Sequence, residues 1–381
     1  MNFRSYEIKD ICKIKSGKRL PKGTDFSEKP TKHKYIRARD IKNGKIDGSD
    51  LGYISEETQK KIERYIVNTN DIIITIAGTI GEVALVSKKF DGVNLTENAV
   101  RLTEFSKDVC PEFLAYILKS PEQKEYMEQV AGGSAQPKLG IYKIEAIKVD
   151  LPDVQIQHKI ADVLSTYDNL IENNQKQIKL LEEAAQRLYK EWFVDLRFPG
   201  HENTKIVDGV PEGWRRGLLK ELIIVNYGKD HKKAPDDGNI PVYGSGGLMR
   251  KCNKSLFSGE AVLIPRKGSL NNIMYVDETF WTVDTMFYAT MKQPHTAVFV
   301  YFFVKAFDMY SMNIGAAVPS MTAKILDAMD VVIPDKENLE KFDKCAKVYF
   351  NKIKTLQGQN ERLETARDLL LPKLMSGEVE V

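Results

Sequence analysis

Shifted by 182 residues, the end of this chain falls on its own middle without a gap. Pro152 meets Pro334, Asp153 meets Asp335, Tyr167 meets Tyr349, Asn169 meets Asn351, Ile171 meets Ile353 and Gln175 meets Gln357. Leu181, Glu182, Ala184 and Leu188 then meet Leu363, Glu364, Ala366 and Leu370. Upstream, Gly133, Pro137 and Ala146 meet Gly315, Pro319 and Ala328. Self-similarity in one register over this length decides architecture before any local signal does. The 381 residues are two copies of one plan, each a globular part followed by a long helix.

The helix of the first copy lies within residues 151–200 and carries a wide apolar face. Stepping by sevens, Ile160, Tyr167, Leu181 and Leu188 form one row, broken once by Asn174. Val163, Leu170 and Ala184 form a second row, and Leu164, Ile171, Ile178, Ala185 and Trp192 a third. Three apolar rows per heptad suit packing against another long helix. At about 1.5 Å per residue, roughly 35 residues make a rod of about 50 Å. Nothing else in this half covers such a rod, so the helix of the second copy is its expected antiparallel coiled-coil partner. Asn174 fixes the register if buried against a polar residue such as Asn360; an exposed Asn is the equal alternative. Cys345 falls where Val163 falls in the first copy and is expected in the core.

The first globular part, residues 1–150, reads as mixed α/β. YEIKDICKIKSGKRL gives a short helix or strand before a turn at Gly17, and YIRARDI alternates like a strand with its basic residues on one face. DIIITIAGTIGEVALV gives two β-branched runs separated by Gly78 and Gly81, the pattern of a hairpin. A further strand is expected over residues 98–102, a helix from Pro111, and a loop, a helical turn and a last strand in GGSAQPKLGIYKIEAIKVDLP. The second part, residues 200–332, repeats this plan from PEGW onward. LLKELIIVNYGKD parallels IKDICKIKSGKR, with Gly228 on Gly17. EAVLIPRKGSLNNIMYV parallels DIIITIAGTIGEVALV, FVYFFVKA parallels FLAYILKS, and NIPVYGSGG is a strand entering a glycine-rich turn. The offset falls from 211 at Gly17–Gly228 to 182 at Gly133–Gly315, so the second globular part is shorter by 29 residues. The helices match in length while the globular parts have diverged, as suits a fixed spacer with two exchangeable readers.

Net charge is only +3, but its distribution is uneven. Lys13, Lys15, Lys18, Arg19, Lys22, Lys29, Lys32, Lys34, Arg37, Arg39, Lys42 and Lys45 crowd one segment, opposed locally by Asp25, Glu28 and Asp40. Lys229, His231, Lys232, Lys233, Arg250, Lys251, Lys254, Arg266 and Lys267 form a looser second cluster. One such cluster reads equally as a solvated lysine-rich surface; recurrence in both copies points to a polyanion. The longest apolar run, residues 297–304, is too short to span a bilayer, and the N-terminus has no signal-peptide pattern. Four scattered cysteines, Cys12, Cys110, Cys252 and Cys345, suggest neither a zinc site nor a disulfide frame, and the chain reads as intracellular, in the cytoplasm.

No active site emerges. The GxxxxGK[ST] spacing that cradles nucleotide phosphates is missing, as is the Asn/Asp-Pro-Pro-aromatic tetrapeptide that would hold a flipped adenine. His33, His158, His201, His231 and His295 are far apart, and GSGG over residues 244–247 reads as a tight turn. The chain is expected to be a reader, without catalytic residues or metal ligands of its own.

IAGTIGEVAL, GGSAQPKLGIYKIEAIKVDLP, the helix ending KEWFVDLRFPG, the PEGW opening and the ending LLPKLMSGEVEV resemble the specificity subunit of type I restriction-modification enzymes, over essentially the whole chain. The resemblance implies an α/β (α+β) fold of two pseudo-repeated target recognition domains, residues 1–150 and 200–332, separated by paired helices. Residues 151–199 would be the central conserved spacer and 333–381 the distal one. Each domain would read one half of a split target in double-stranded DNA. Two modification subunits would methylate adenine N6 with S-adenosylmethionine, and restriction subunits would add an ATP- and Mg-dependent nuclease; no cofactor is expected in this chain. A methylation-only system, or a non-catalytic nucleic-acid-binding scaffold, is the alternative. The helix spacing suggests an unread gap on the order of 5–8 base pairs. Trp192 and Phe193 are expected in the core, with a docking face for a modification subunit as the other reading.

Residue chemistry near glycine-containing loops then selects candidate DNA contacts. Arg suits guanine O6/N7, Asn suits adenine N6/N7, and Lys suits phosphate. In the first domain these are Lys18, Arg19, Arg37, Arg39 and Thr79. In the second they are Lys229, Tyr243, Ser245, Arg266, Lys267, Ser269, Asn271 and Asn272, each also readable as plain exposed surface. Residues 266–272 lead this set, because Arg, Lys, Ser and Asn concentrate there between two apolar strands.

Overall fold

The computed structural model describes residues 2–132, 137–312 and 320–381, with Lys233 described by its backbone alone. Gly133, Gly315 and Pro319 of the repeat register, and residues 133–136 of the expected loop, lie outside the described residues. Two long helices are present, a central one over Val154–Tyr189 and a distal one over Lys336–Ser376. The chain forms two compact units, which do not follow the sequence repeat. Unit 1 is Met1–Ile171 with Glu361–Val381, and unit 2 is Glu172–Asn360. Each unit therefore owns part of both helices.

Burial of the apolar stripes explains this division. In unit 1, Ile160, Ala161 and Leu164 of the central helix share a core with Leu374 of the distal helix. In unit 2, Ala185 and Tyr189 share a core with Leu339, Phe342 and Ala346. Within each unit the pairing is antiparallel. Asn174 is buried and its Nδ2 donates to Oδ1 of the equally buried Asn360 at 2.9 Å. Trp192 and Phe193 lie in the unit 2 core, with Phe193 4.8 Å from Phe342 and 4.9 Å from Phe299 between ring centroids. A short π turn, Lys190–Val194, places both rings there at the end of the central helix.

Two expectations for these helices fail. Leu170 is 46% exposed and Cys345 is exposed. The seam is narrower than three full rows. Its buried positions in the distal helix, Leu339, Phe342, Ala346, Ile353 and Leu356, step by three, four, seven and three and leave residue 345 to one side.

In unit 1 the strand Arg4–Glu7 pairs antiparallel with Lys148–Leu151, the strand that leads into the central helix. A four-stranded antiparallel sheet runs Lys13–Ser16, Ala99–Thr103, Ile72–Thr75, Val83–Leu85. A smaller sheet runs Gly52–Ile54, His33–Ile36, Asn94–Leu95, its last pair parallel. The strand expected in YIRARDI ends at Ile36, and Ala38–Asp40 is a 3₁₀ turn. The Asp40 carboxylate accepts from the Arg37 backbone at 2.8 Å and from its guanidinium, an alternative to strand pairing that breaks the ladder. In unit 2, nine-residue strands, Phe257–Pro265 and Met274–Thr282, join the equivalent strands into one six-stranded sheet. Most of the extra length of unit 1 falls between Ile36 and Ile72, which includes the helix Glu56–Lys61.

Backbone hydrogen bonds register the two globular parts residue by residue. The Gly17 amide donates to Ala99 O at 3.1 Å and Lys18 to Leu95 O at 2.8 Å. Gly228 donates to Met286 O at 3.0 Å and Lys229 to Thr282 O at 2.9 Å. Thr96 to Ile36 O, 3.0 Å, matches Val283 to Tyr243 O, 3.0 Å. Ile76 to Asn98 O, 2.8 Å, matches Arg266 to Thr285 O, 2.9 Å, and Leu139 to Ile76 O matches Met321 to Arg266 O, both 2.9 Å. A Cβ on Gly17 would fall on the Thr96 carbonyl, and one on Gly228 on the Val283 carbonyl, so both positions require glycine.

Polar joints tie each globular part to its helices. In unit 1 the Tyr116 hydroxyl donates to Asp168 Oδ2 and Arg367 Nη1 to Asp168 Oδ1, both at 2.6 Å. Burial and this carboxylate push the Tyr116 hydroxyl well above its ordinary pKa. In unit 2 Lys347 bridges Asp343 and Glu260 at 2.9 Å each, and His295 pairs with Asp343 at 2.7 Å.

Asp168→Ala should therefore destabilise unit 1 by about 2 kcal/mol, because two partly buried donors lose their acceptor, whereas Tyr116→Phe should cost less. Denaturant unfolding with equal costs for both would refute the joint. At the seam, Asn174→Ala leaves the Asn360 amide buried and unpaired, at a cost of about 1–3 kcal/mol. Replacing both asparagines with Leu should come out close to neutral, and a double variant as unstable as the two single changes summed would show that the amides are uncoupled.

Candidate nucleic-acid interface

In each unit the repeated backbone bonds gather four segments in one place. In unit 2 these are residues 227–230, the end of the strand Ile240–Gly244, residues 266–272 and the turn 282–285. In unit 1 they are residues 17–19, the end of the strand His33–Ile36, residues 76–80 and the turn 95–98. Residues 76–80 and 266–270 adopt the same shape: Gly78 has φ 83° and Gly268 φ 84°, and Ile80 and Leu270 are both buried anchors. All the sequence candidates lie on or beside these segments, although they do different work.

In unit 2, Lys229 and Lys267 are exposed and take part in no ion pair among the described residues. Ser269 is also exposed. Arg266 is held in place: its Nη1 donates to the Asp284 carbonyl at 3.1 Å, and its guanidinium lies 5.5 Å from the Tyr227 ring centroid and 5.8 Å from that of Phe287. It is part-exposed and oriented by these contacts, with no ion pair among the described residues. Asn271 Nδ2 donates to Asp308 Oδ1 at 3.0 Å and its Oδ1 accepts from the Met309 amide at 2.8 Å. Asn272 Nδ2 donates to the Ser245 carbonyl at 2.9 Å, seating one loop on the other, and the Tyr243 hydroxyl donates to Glu278 at 2.5 Å. Asn271, Asn272 and Tyr243 thus shape the loops. Exposed segments need such internal acceptors wherever the turn leaves a backbone or amide group unpaired.

Unit 1 differs in its electrostatics. Arg37 forms a bidentate pair with Asp40 at 2.8 and 2.9 Å, and its side chain is 18% exposed. Arg39 reaches Asp50 at 3.3 Å, and Arg19 Nε donates to Glu97 Oε1 at 2.6 Å, which raises the Arg19 pKa. Lys13 and Lys15 both pair with Glu104, and their hydrogen bonds pull its pKa down to about 2. Much of the basic run is therefore neutralised by Glu97, Glu104, Asp47 and Asp50, which lie outside the three acids nearest in the run. Arg37 corrects the expectation of basic residues on one strand face; its guanidinium points into a salt bridge. Lys18 is exposed, its Nζ 5.6 Å from the Tyr65 ring centroid, and Lys22, Lys29, Lys32, Lys34 and Lys45 are exposed without ion pairs among the described residues. Thr79 is exposed, and its carbonyl accepts from the Thr75 hydroxyl.

The turns at 95–98 and 282–285, which organise both sites, are missing from the sequence candidates. Their only sequence signal is their place four residues before the matched strand residues Ala99 and Met286. Tyr227, Leu248, Met249 and Tyr310 are exposed near the unit 2 segments, and polarity-based selection passes over them. Lys18, Lys229 and Lys267 leave positive charge exposed on these segments. Among the described residues no cluster of His, Cys, Asp or Glu is placed to hold a metal ion, and no helix is long and apolar enough to cross a membrane.

The chain is 26% identical to the type I restriction enzyme MjaIX specificity subunit of Methanocaldococcus jannaschii, over 86% of this chain and 82% of that protein. It is 22% identical to the HindI specificity subunit of Haemophilus influenzae, over 99% of this chain and all of that protein. The crystal structure of a type I restriction-modification S subunit from M. genitalium shares the fold, with a TM-score of 0.64 at 20% identity, covering 98% of this chain and 96% of that one. Residues 2–183 and 211–365 match the type I restriction modification DNA specificity domain, and the chain belongs to that family.

Proposed function

We propose that this chain is the DNA-recognition subunit of a type I restriction-modification system and leaves the chemistry to other subunits. Each unit reads one half of a bipartite duplex target, and the two long helices set the length of the unread gap. Modification subunits carrying S-adenosylmethionine methylate adenine N6 at the chosen site. Restriction subunits using ATP and Mg act on unmodified DNA. The observation that carries this reading is the doubled site: one set of backbone hydrogen bonds presents two different collections of side chains. A single binding function would not need two divergent surfaces on a shared frame. Free lysines supply phosphate contacts, which position a protein on a duplex, while neighbouring side chains meet base edges.

Methylome sequencing of cells with and without this chain, the modification subunit retained, tests the proposal. N6-methyladenine should appear in a two-part motif with a fixed gap only when the chain is present; an identical methylome would overturn it. In the assembled complex, Lys229→Ala with Lys267→Ala should weaken binding to all duplexes and reduce the slope of log K against log salt by about 2. An unchanged slope would remove these lysines from the DNA contact.

A further inference from the structure

We propose that unit 2 reads its half-site partly by apolar contact between Leu248 and Met249 and the 5-methyl group of a thymine in the major groove. This inference rests on the DNA-recognition reading and names a feature of the base sequence recognised.

The strands Ile240–Gly244 and Gly247–Cys252 form a hairpin whose register is interrupted. Val242 faces Arg250 and Tyr243 faces Leu248, so Met249 is the extra residue of a bulge. A bulge re-aims the side chain it carries, whereas a regular strand would send neighbours to opposite faces. Leu248 is 58% exposed and Met249 53% exposed, adjacent in sequence and open to solvent. Beside exposed lysines and the exposed rings of Tyr227 and Tyr310, this aliphatic pair suits an apolar partner.

The hairpin is seated on the reading loop. The Ser245 carbonyl accepts from Asn272, and a Cβ on Gly268 would meet the Ser245 hydroxyl at 2.7 Å. Arg250 anchors the base of the hairpin through Asp236 and the carbonyls of His231 and Ala234. The exposed cations of this hairpin and the converging loops, Lys229, Lys251, Lys254 and Lys267, have no ion pair among the described residues. A partner that suits both features carries dense negative charge and a small apolar group. Duplex DNA does: of the major-groove base edges, only thymine presents a methyl group. In unit 1 the corresponding place after Ile36 holds Arg37 and Arg39, both paired to Asp50, and offers no equivalent apolar pair.

The test uses the assembled complex of this chain with its modification subunits and the target found by methylome sequencing. Duplexes carry deoxyuridine for thymidine, one position at a time, in each half-site. Binding should fall about fourfold at a thymine in one half-site only, the effect of removing one buried methyl group. Leu248→Ala with Met249→Ala should abolish that sensitivity while retaining sequence-specific binding. Leu248→Ser alone, should the double variant fold poorly, should reduce it. Specific binding that ignores every uridine, or a uridine effect that persists in the variants, would overturn the inference and leave the DNA-reading role standing. Loss of the modification subunits from the variant complex would instead make the pair a protein contact and also overturn it. Absence of specific binding by the unaltered complex would overturn both readings.

Discussion

A long helix with an apolar stripe is not stable alone in water, and every larger feature of this chain follows from how its two stripes are covered. The central helix is covered by the distal helix, whose sequence lies almost two hundred residues later. The consequence is that each unit includes residues from both copies of the repeat. Unit 1 takes its last segment, Glu361–Val381, from the far end of the chain, and Val379 and Val381 pack against a core built by Ile8, Phe113 and Leu164. Lys159 of the central helix donates to the carbonyl of Val381 at 3.2 Å. The buried Asn174–Asn360 pair selects one register among the several that repeating apolar rows would tolerate, at some loss of apolar burial.

On this base the two globular parts keep the same frame by means that leave side chains free. The bonds shared between units run from backbone to backbone, and a backbone bond constrains side-chain identity only where there is no room, as at Gly17 and Gly228. Elsewhere the frame is indifferent. Ala77 in one unit stands where Lys267 stands in the other, each beside a matching bridge, to Lys138 and to Ser320. Thr96 stands where Val283 stands. The shared backbone bonds let such a surface vary its chemistry, although in unit 2 Arg266, Asn271 and Asn272 also hold their loops through side-chain bonds.

That separation also explains what the sequence discloses. Periodicity and glycine placement are imposed by the frame, so the repeat, the long helices, the hairpin around Gly78 and the Gly17–Gly228 match were all legible. Pairings between distant residues have no periodic signature. The run from Lys13 to Lys45 looks opposed by three acids, yet Glu97 and Glu104 are brought against it only when Ala99–Thr103 pairs with Lys13–Ser16. The same blindness hid that Arg37 is half of a salt bridge and that Arg266 donates to the Asp284 carbonyl. The exposure of Cys345 and Leu170 follows from a seam narrower than the apolar rows, and sequence spacing alone does not fix that width.

Free charge, and not counted charge, is what a phosphate backbone meets, and the two units differ in it. Unit 1 has more cations but spends many on its own carboxylates, leaving a scatter of lysines around Lys29 and Lys34. Unit 2 has fewer, yet Lys229 and Lys267 both stand unpaired on the loops the frame converges upon, where unit 1 keeps Lys18 and holds Ala77 in place of Lys267. An ion pair formed within the protein fixes a loop's shape, and a cation left over contacts a ligand; one side chain seldom serves both purposes. Because the frame is already secured by backbone bonds, unit 2 can leave its loop cations and its apolar hairpin tip uncommitted. Unit 1, with a longer and less regular segment after Ile36, uses arginine–carboxylate pairs to hold that segment and so presents a different surface from an equivalent fold.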